Sequence, residues 1–273
     1  MGGRNTSSGR MPPPAPAPPP MPIPPPTPKP KPKPKPKPKP KTARLDLTKM
    51  SDTKLASFVD NAMYANLPAG FHDDITQRLI YSAKWNDKPE IVTSTQAEAA
   101  AKKRGAIVLY RTNSTSGLTT AKQYSDAFRT ADVFSTGGGG GQQYGGGMYF
   151  SDKLSGSKAY GYGWRSKNPP NTIGAVLNKN AKVVNMDDLR GNMGRAWISA
   201  HPKAARKLGF SKDRYGNLKT KYNKGSYTAL AMAMGYNVVK NRVGGGEHYY
   251  TVLDRSAVTT STKDYFSSSR GMK

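Results

Sequence analysis

The chain contains no cysteine among its 273 residues. That excludes disulfides, thiolate zinc sites and cysteine nucleophiles. Histidine is scarce too: His72, His201 and His248 are scattered without metal-ligand spacing, so no metal is expected. No long apolar run is present, and no membrane span is expected. The N-terminus lacks the apolar core of a secretory signal. Met1 to Thr6 fits the short myristoylation pattern, which chance supplies often. Acids are few, 17 against 43 Lys and Arg, for a net charge of +26. Residues 1–42 carry nine of those positive charges and no acid, which leaves +17 on residues 43–273. Such a field favours polyanions: nucleic acid, acidic proteins or an anionic lipid surface. It equally fits a solubility charge with no specific partner.

What is abundant at the start is proline. Pro12 to Pro28 is proline-dense, and Pro28 to Lys41 alternates Pro and Lys strictly. Every second residue there lacks an amide donor and the lysines repel, which predicts an extended polyproline II segment of roughly 40 Å. It reads as a spacer, a basic arm on a polyanion, or a solvated tail. Residues 1–42 are therefore set apart as a disordered tail.

Residues 43–105 read as helical. Leu55, Phe58, Val59, Ala62 and Met63 give a helical period over Ser51 to Ala65, with Ser51 and Asp52 placed to cap it. Further helices are expected over Asp73 to Trp85 and Thr95 to Lys103. From Ala106 the texture becomes that of short strands: Ile107 to Tyr110, Met148 to Ser151, Thr172 to Leu177, Ala181 to Val184, Tyr236 to Lys240 and Tyr249 to Leu253. Tyr227 to Met234 reads as a helix with Gly235 just past its end. Many short strands with few intervening helices predict an α+β core over residues 106–260, followed by a flexible tail, 261–273. Asn185 to Lys224 is basic and turn-rich, interrupted by Trp197, Phe210, Tyr215 and Tyr222. That interleaving suits non-specific nucleic-acid binding or a solvated insertion.

One segment carries chemistry. Gly147-Met148-Tyr149-Phe150-Ser151-Asp152-Lys153-Leu154-Ser155-Gly156-Ser157-Lys158-Ala159-Tyr160 reads as a strand entering a short helix capped by Ser151 or Asp152. Such a helix folds Tyr160 back over Tyr149, and two phenol rings then face each other across a slot. A flat aromatic amide fits that slot, with Ser157 free to hydrogen-bond its carboxamide. Two tyrosines packed in a core is the plainer alternative. The run resembles, without a gap, the nicotinamide-binding segment of poly(ADP-ribose) polymerase-like ADP-ribosyltransferases, departing from it at Lys158 and Ala159.

The resemblance extends more softly from Arg78 to Val258, and in its late part to phage-encoded ADP-ribosyltransferase domains. It implies a split β-sheet core and NAD as substrate, with nicotinamide between Tyr149 and Tyr160. The amide would lie on Ser157 and on backbone near Gly147 or Thr112. Leu109-Tyr110-Arg111-Thr112 ends the first clear strand, where the arginine-serine-glutamate branch of the superfamily carries an arginine. Arg111 is similar to that residue and would hold phosphate or ribose. Ser151 stands near the register of the Ser-Thr-Ser motif of that branch, with Phe134-Ser135-Thr136 as a competing match. The glycine-rich loop Gly137 to Gly147 would close over the dinucleotide, or is a plain linker. Arg242 to Gly246 resembles the substrate-recognition loop, which makes Glu247 the catalytic carboxylate, with Tyr249 where toxins carry a second acid. An exposed turn glutamate is the alternative for Glu247. His248, on the opposite strand face, is expected to be structural.

Together these imply transfer of ADP-ribose to a macromolecular acceptor, a host protein or nucleic acid, by a phage- or toxin-type effector in a host cytoplasm or a virion. NAD glycohydrolase activity and a non-catalytic, DNA-associated virion protein remain the alternatives.

Overall fold

The structure is a computed structural model, and the residues it describes are 43–68, 73–85, 87–112, 121–131, 146–160 and 172–263, with side chains in the helix 154–160 only to Ser157. The Pro-Lys segment, most of the glycine-rich loop, Phe134-Ser135-Thr136, His72, the Tyr160 side chain and the last ten residues lie outside that set.

Among the described residues a 3-10 turn, Leu47–Lys49, precedes the first α-helices. α1 (Asp52–Met63) is capped by Ser51, whose hydroxyl accepts from the Lys54 amide. α2 (Ile75–Ser82) is capped by Asp74, whose carboxylate accepts from the Thr76 and Gln77 amides at 2.8 and 3.0 Å. α3 (Ser94–Ala101) starts with a reciprocal capping box of Thr93 and Gln96. Between α2 and α3 a strand not anticipated from the sequence, β1 (Glu90–Val92), joins the main sheet, so the opening segment is not purely helical. β2 (Val108–Thr112), α4 (Ala121–Thr130), β3 (Met148–Ser151), α5 (Leu154–Tyr160) and β4 (Thr172–Leu177) follow. Then come β5 (Val183–Asn185), α6 (Met186–Arg190), α7 (Asn192–Ala200), α8 (Pro202–Lys207), β6 (Phe210–Lys212), β7 (Leu218–Thr220), α9 (Lys224–Ala233), β8 (Val238–Arg242), β9 (His248–Val252) and β10 (Val258–Ser261).

The fold is mixed α and β. Eight strands form one sheet in the order β1-β10-β4-β2-β3-β9-β8-β5, with β6 and β7 as a separate hairpin. β1 with β10 and β5 with β8 are parallel; the other pairs are antiparallel. The sheet is pinched in the middle. β2 and β4 share five residue pairs and β3 and β9 share four, but β2 and β3 meet only at Tyr110 opposite Ser151. Two four-stranded halves thus diverge from one point.

Alternate strand residues share a face, and the two faces have separate cores. Leu109, Met148, Phe150, Ile173, Tyr250 and Val252 pack with Phe128 of α4. The Phe128 and Phe150 rings tilt at 58° with centroids 6.1 Å apart, within the favourable aromatic range. On the other face Val184, Val239 and Leu253 pack with α1, α2, α6, α8 and α9.

The basic segment 185–224 is a correction to its reading as turn-rich. It forms α6, α7, α8 and the β6–β7 hairpin, and Met186, Leu189, Ala204, Ala205, Leu208 and Phe210 are buried in the second core. Among the described residues no helix is long and apolar enough to cross a membrane.

Candidate active site

The pinch point collects the sequence motifs. β3 leads into α5 through a tight turn: the Ser151 hydroxyl accepts from the Lys153 amide at 2.8 Å. Ser151 therefore shapes the turn, while Asp152 is engaged elsewhere. α5 then folds back across β3 onto β2. There Ser157 Oγ lies 2.9 Å from Thr112 Oγ1, and Thr112 Oγ1 lies 2.9 Å from Thr172 Oγ1. All three hydroxyl side chains are buried. A chain of hydroxyls satisfies itself cooperatively inside the protein and fixes α5 against β2.

Glu247 enters from the start of β9. Its Oε1 lies 2.6 Å from Ser151 Oγ, which also lies 2.7 Å from the Lys153 carbonyl. The single hydroxyl proton serves two acceptors, so any group that bonds the carboxylate competes on favourable terms. Gly156 makes room for it: a Cβ at Gly156 would lie 1.4 Å from Glu247 Oε1. A glycine inside a helix costs about 1 kcal/mol relative to alanine, and here the empty volume holds the carboxylate.

The segment before Glu247 is tied down. Val243 donates its amide to the Glu247 carbonyl at 2.9 Å, and Lys153 Nζ donates to the Gly245 carbonyl at 2.7 Å. Gly245 and Gly246 both adopt left-handed backbone, φ 70° and 68°, which favours glycine. Asp152 clamps the same end of the sheet. Its carboxylate accepts from the His248 amide at 2.9 Å and meets His248 Nδ1 at 2.9 Å.

The strand alternation sorts the remaining residues. Met148 and Phe150 lie in the α4-side core, so Tyr149 and Ser151 face α5. Tyr149 is half-buried there. Gly147, at φ 141°, lies hard against β9, where a Cβ would sit 2.5 Å from Thr251 Cγ2. Tyr249, opposite Ser151 in register, is buried.

Arg111 goes the other way. Leu109 faces α4, and Arg111 two residues on does the same, with its guanidinium 5.2 Å from the Tyr124 ring centroid. Arg111 Nη1 donates to the Tyr149 carbonyl at 3.0 Å. Past the Tyr110–Ser151 pair β2 and β3 no longer pair, and the guanidinium bridges the fork. Burial pushes the Tyr124 phenol above the usual tyrosine range, opposed by the Arg111 charge.

The structure thus brings Thr112, Tyr149, Ser151, Ser157 and Glu247 to the α5 face and holds Arg111 on the α4 face. Thr172, Gly156 and Lys153 complete the arrangement and were not anticipated. Gly156 alone had a signal in the sequence, as a glycine within a predicted helix. A cavity of about 370 Å³, lined by Arg44, Trp85, Lys182 and Asn237 among others, includes none of the site residues. Comparisons of the chain with protein-family models, curated proteins and solved structures give no match.

Proposed function

We propose that the chain is an NAD-dependent ADP-ribosyltransferase. The observation that supports this best is the meeting of three distant sequence elements on one sheet face: Thr112 with Ser157, and Ser151 with Glu247. Nicotinamide lies against Tyr149, on the sheet face that also carries Ser157. The Ser157 hydroxyl bonds its carboxamide, since Thr112 and Thr172 leave the serine oriented but not saturated. Glu247 accepts from the nicotinamide-ribose hydroxyls and stabilises the oxocarbenium character that develops as the glycosidic bond breaks. The bonding pair leaves with the nicotinamide nitrogen, and an acceptor nucleophile takes the ribose carbon and gives up its proton. Arg111 enters as a positioning residue: it anchors the Tyr149 carbonyl and so sets one wall of the slot.

Purified protein incubated with labelled NAD should release nicotinamide and place label on a protein or nucleic acid. Glu247→Gln should lower the rate by about two to four powers of ten, as for other positioned charged groups. Full activity in that variant would remove Glu247 from catalysis. Release of nicotinamide with no labelled macromolecule would make water the acceptor. No NAD consumption at all would leave a basic, non-catalytic protein.

A further inference from the structure

The segment 185–224 divides into two kinds of basic surface. On α8 both lysines are engaged: Lys207 Nζ meets Asp60 Oδ1 at 2.6 Å, and Lys203 Nζ meets Thr53 Oγ1 at 3.1 Å. The β6–β7 hairpin differs. Lys212, Arg214, Lys219 and Lys221 are all exposed, and among the described residues none pairs with a carboxylate. The hairpin's one acid, Asp213, is engaged by its own turn. Its Oδ1 accepts from the Tyr215 and Asn217 amides at 2.9 and 2.8 Å. The carboxylate is thus taken up by backbone amides of the turn and pairs with none of the hairpin cations.

The tip also carries an unusual aromatic. Tyr215 is 72% exposed, and the Arg214 guanidinium lies 4.6 Å from its ring centroid. An exposed tyrosine gains nothing from the core. The turn that presents it is nonetheless fixed, by the Asp213 bonds and by Gly216 at φ 81°. The base is anchored as firmly: Phe210 is buried edge-on to Tyr227 with centroids 5.3 Å apart, and Lys221 donates its amide to the Gly209 carbonyl at 2.7 Å. The fixed ribbon therefore holds cations without carboxylate partners, and one exposed ring that Arg214 flanks, away from the core.

We propose that the β6–β7 hairpin is a binding site for single-stranded nucleic acid, with Arg214, Lys219 and Lys221 on phosphates and Tyr215 stacked on a base. Cations tracking a backbone beside an aromatic platform are what sequence-tolerant single-strand binding requires. The site is independent of the NAD chemistry and stands whether or not the chain turns over NAD.

The test uses the full chain, a fluorescent oligothymidylate, a duplex of equal length and poly-glutamate, titrated over a range of salt. The combined variant Arg214→Gln, Lys219→Gln, Lys221→Gln should flatten the slope of log affinity against log salt on oligothymidylate by about 2, at about 0.7 per lost phosphate contact. Tyr215→Ala should weaken oligothymidylate binding by about tenfold and leave the slope unchanged, with Tyr215→Trp restoring it. Circular dichroism should show every variant folded, since the changed side chains are exposed. Wild-type affinity and slope in the triple variant would overturn the proposal. So would a Tyr215→Ala loss that is as large on duplex, or a triple-variant loss on poly-glutamate that matches the loss on oligothymidylate.

Discussion

On the α5 side of the pinch point the sheet is polar: Thr112 is hydrogen-bonded to Ser157 and Thr172, and Ser151 to Glu247. On the α4 side, a single residue away along β2, it is largely apolar, and Arg111 lies over Tyr124 and bonds the Tyr149 carbonyl. Neighbours in a strand point to opposite faces. Arg111 and Thr112, adjacent in a motif, therefore do different work. The α5 face carries hydroxyls and a carboxylate that a ligand can engage. The α4 face holds the fork in shape.

The sharpest way to break that division is Gly156→Ala. The added methyl would occupy the place of the Glu247 carboxylate, and the carboxylate, being the end of a flexible side chain, would swing away. NAD turnover should fall by about a hundredfold, the cost of misplacing a reacting group by about 1 Å. Stability should hold or rise slightly, because alanine favours helix by about 1 kcal/mol over glycine. Paired kinetics and thermal melts check this. Unchanged turnover would show that Glu247 is not held where it acts.

Arg111→Gln probes the other face. It removes a charged donor from the Tyr149 carbonyl and a cation from the Tyr124 ring, and should cost about 1.5–3 kcal/mol in urea denaturation. If Arg111 acts only by holding the Tyr149 carbonyl, any rise in KM for NAD should come together with the loss of stability. A large rise in KM with stability intact would put the guanidinium on phosphate and undo the assignment of the two faces.

How far this was legible in the sequence follows the same physics. β3 and β4 were read to the residue, since Met148 to Ser151 and Thr172 to Leu177 are bounded by glycine, proline or a turn residue. The α5 site was legible because one continuous segment carries three of its side chains. Segment 185–224 was misread. Its buried Met186, Leu189, Ala204, Ala205 and Leu208 are outnumbered by exposed charges, and Gly191 and Pro202 interrupt the period. Both of those residues sit at helix starts, at the cap of α7 and the first turn of α8. β1 and β10 are short, and β10 is mostly Thr and Ser, so their strand character comes from pairing with each other and with β4. The face occupied by Arg111 needed strand register, which motif spacing does not contain.

A smaller effect is expected within the hydroxyl chain. Thr112→Val keeps the shape and removes the central hydroxyl, which leaves Ser157 and Thr172 without that partner. Stability should drop by about 1 kcal/mol, and Thr112→Ser should recover most of it. NAD affinity should follow the same order, since Ser157 loses its fixed orientation. A Val variant that binds NAD as the wild type does would separate the chain from the site.

The last effect is a titration that reports on the α4 face and not on the hydroxyl chain. Tyr250 lies in that core, 2% exposed and opposite Phe150 in register. Burial, and then the negative charge of Asp152, push its phenol up to about 12. In the unfolded chain a tyrosine ionises near pH 10. Below that both states are protonated and the contribution to stability is complete. As pH rises through that range the unfolded chain sheds its proton while the native phenol keeps it, so the unfolded state is favoured. Stability should therefore fall progressively toward pH 12. Tyr124 is raised in the same sense, so wild type alone does not isolate Tyr250. The difference between wild type and Tyr250→Phe does, in denaturant midpoints taken from about pH 9 to about pH 12. Phenylalanine should be flatter, because it has no phenol to ionise. Parallel curves would mean that Tyr250 is open to solvent and that the α4 face is less sealed than its apolar packing implies.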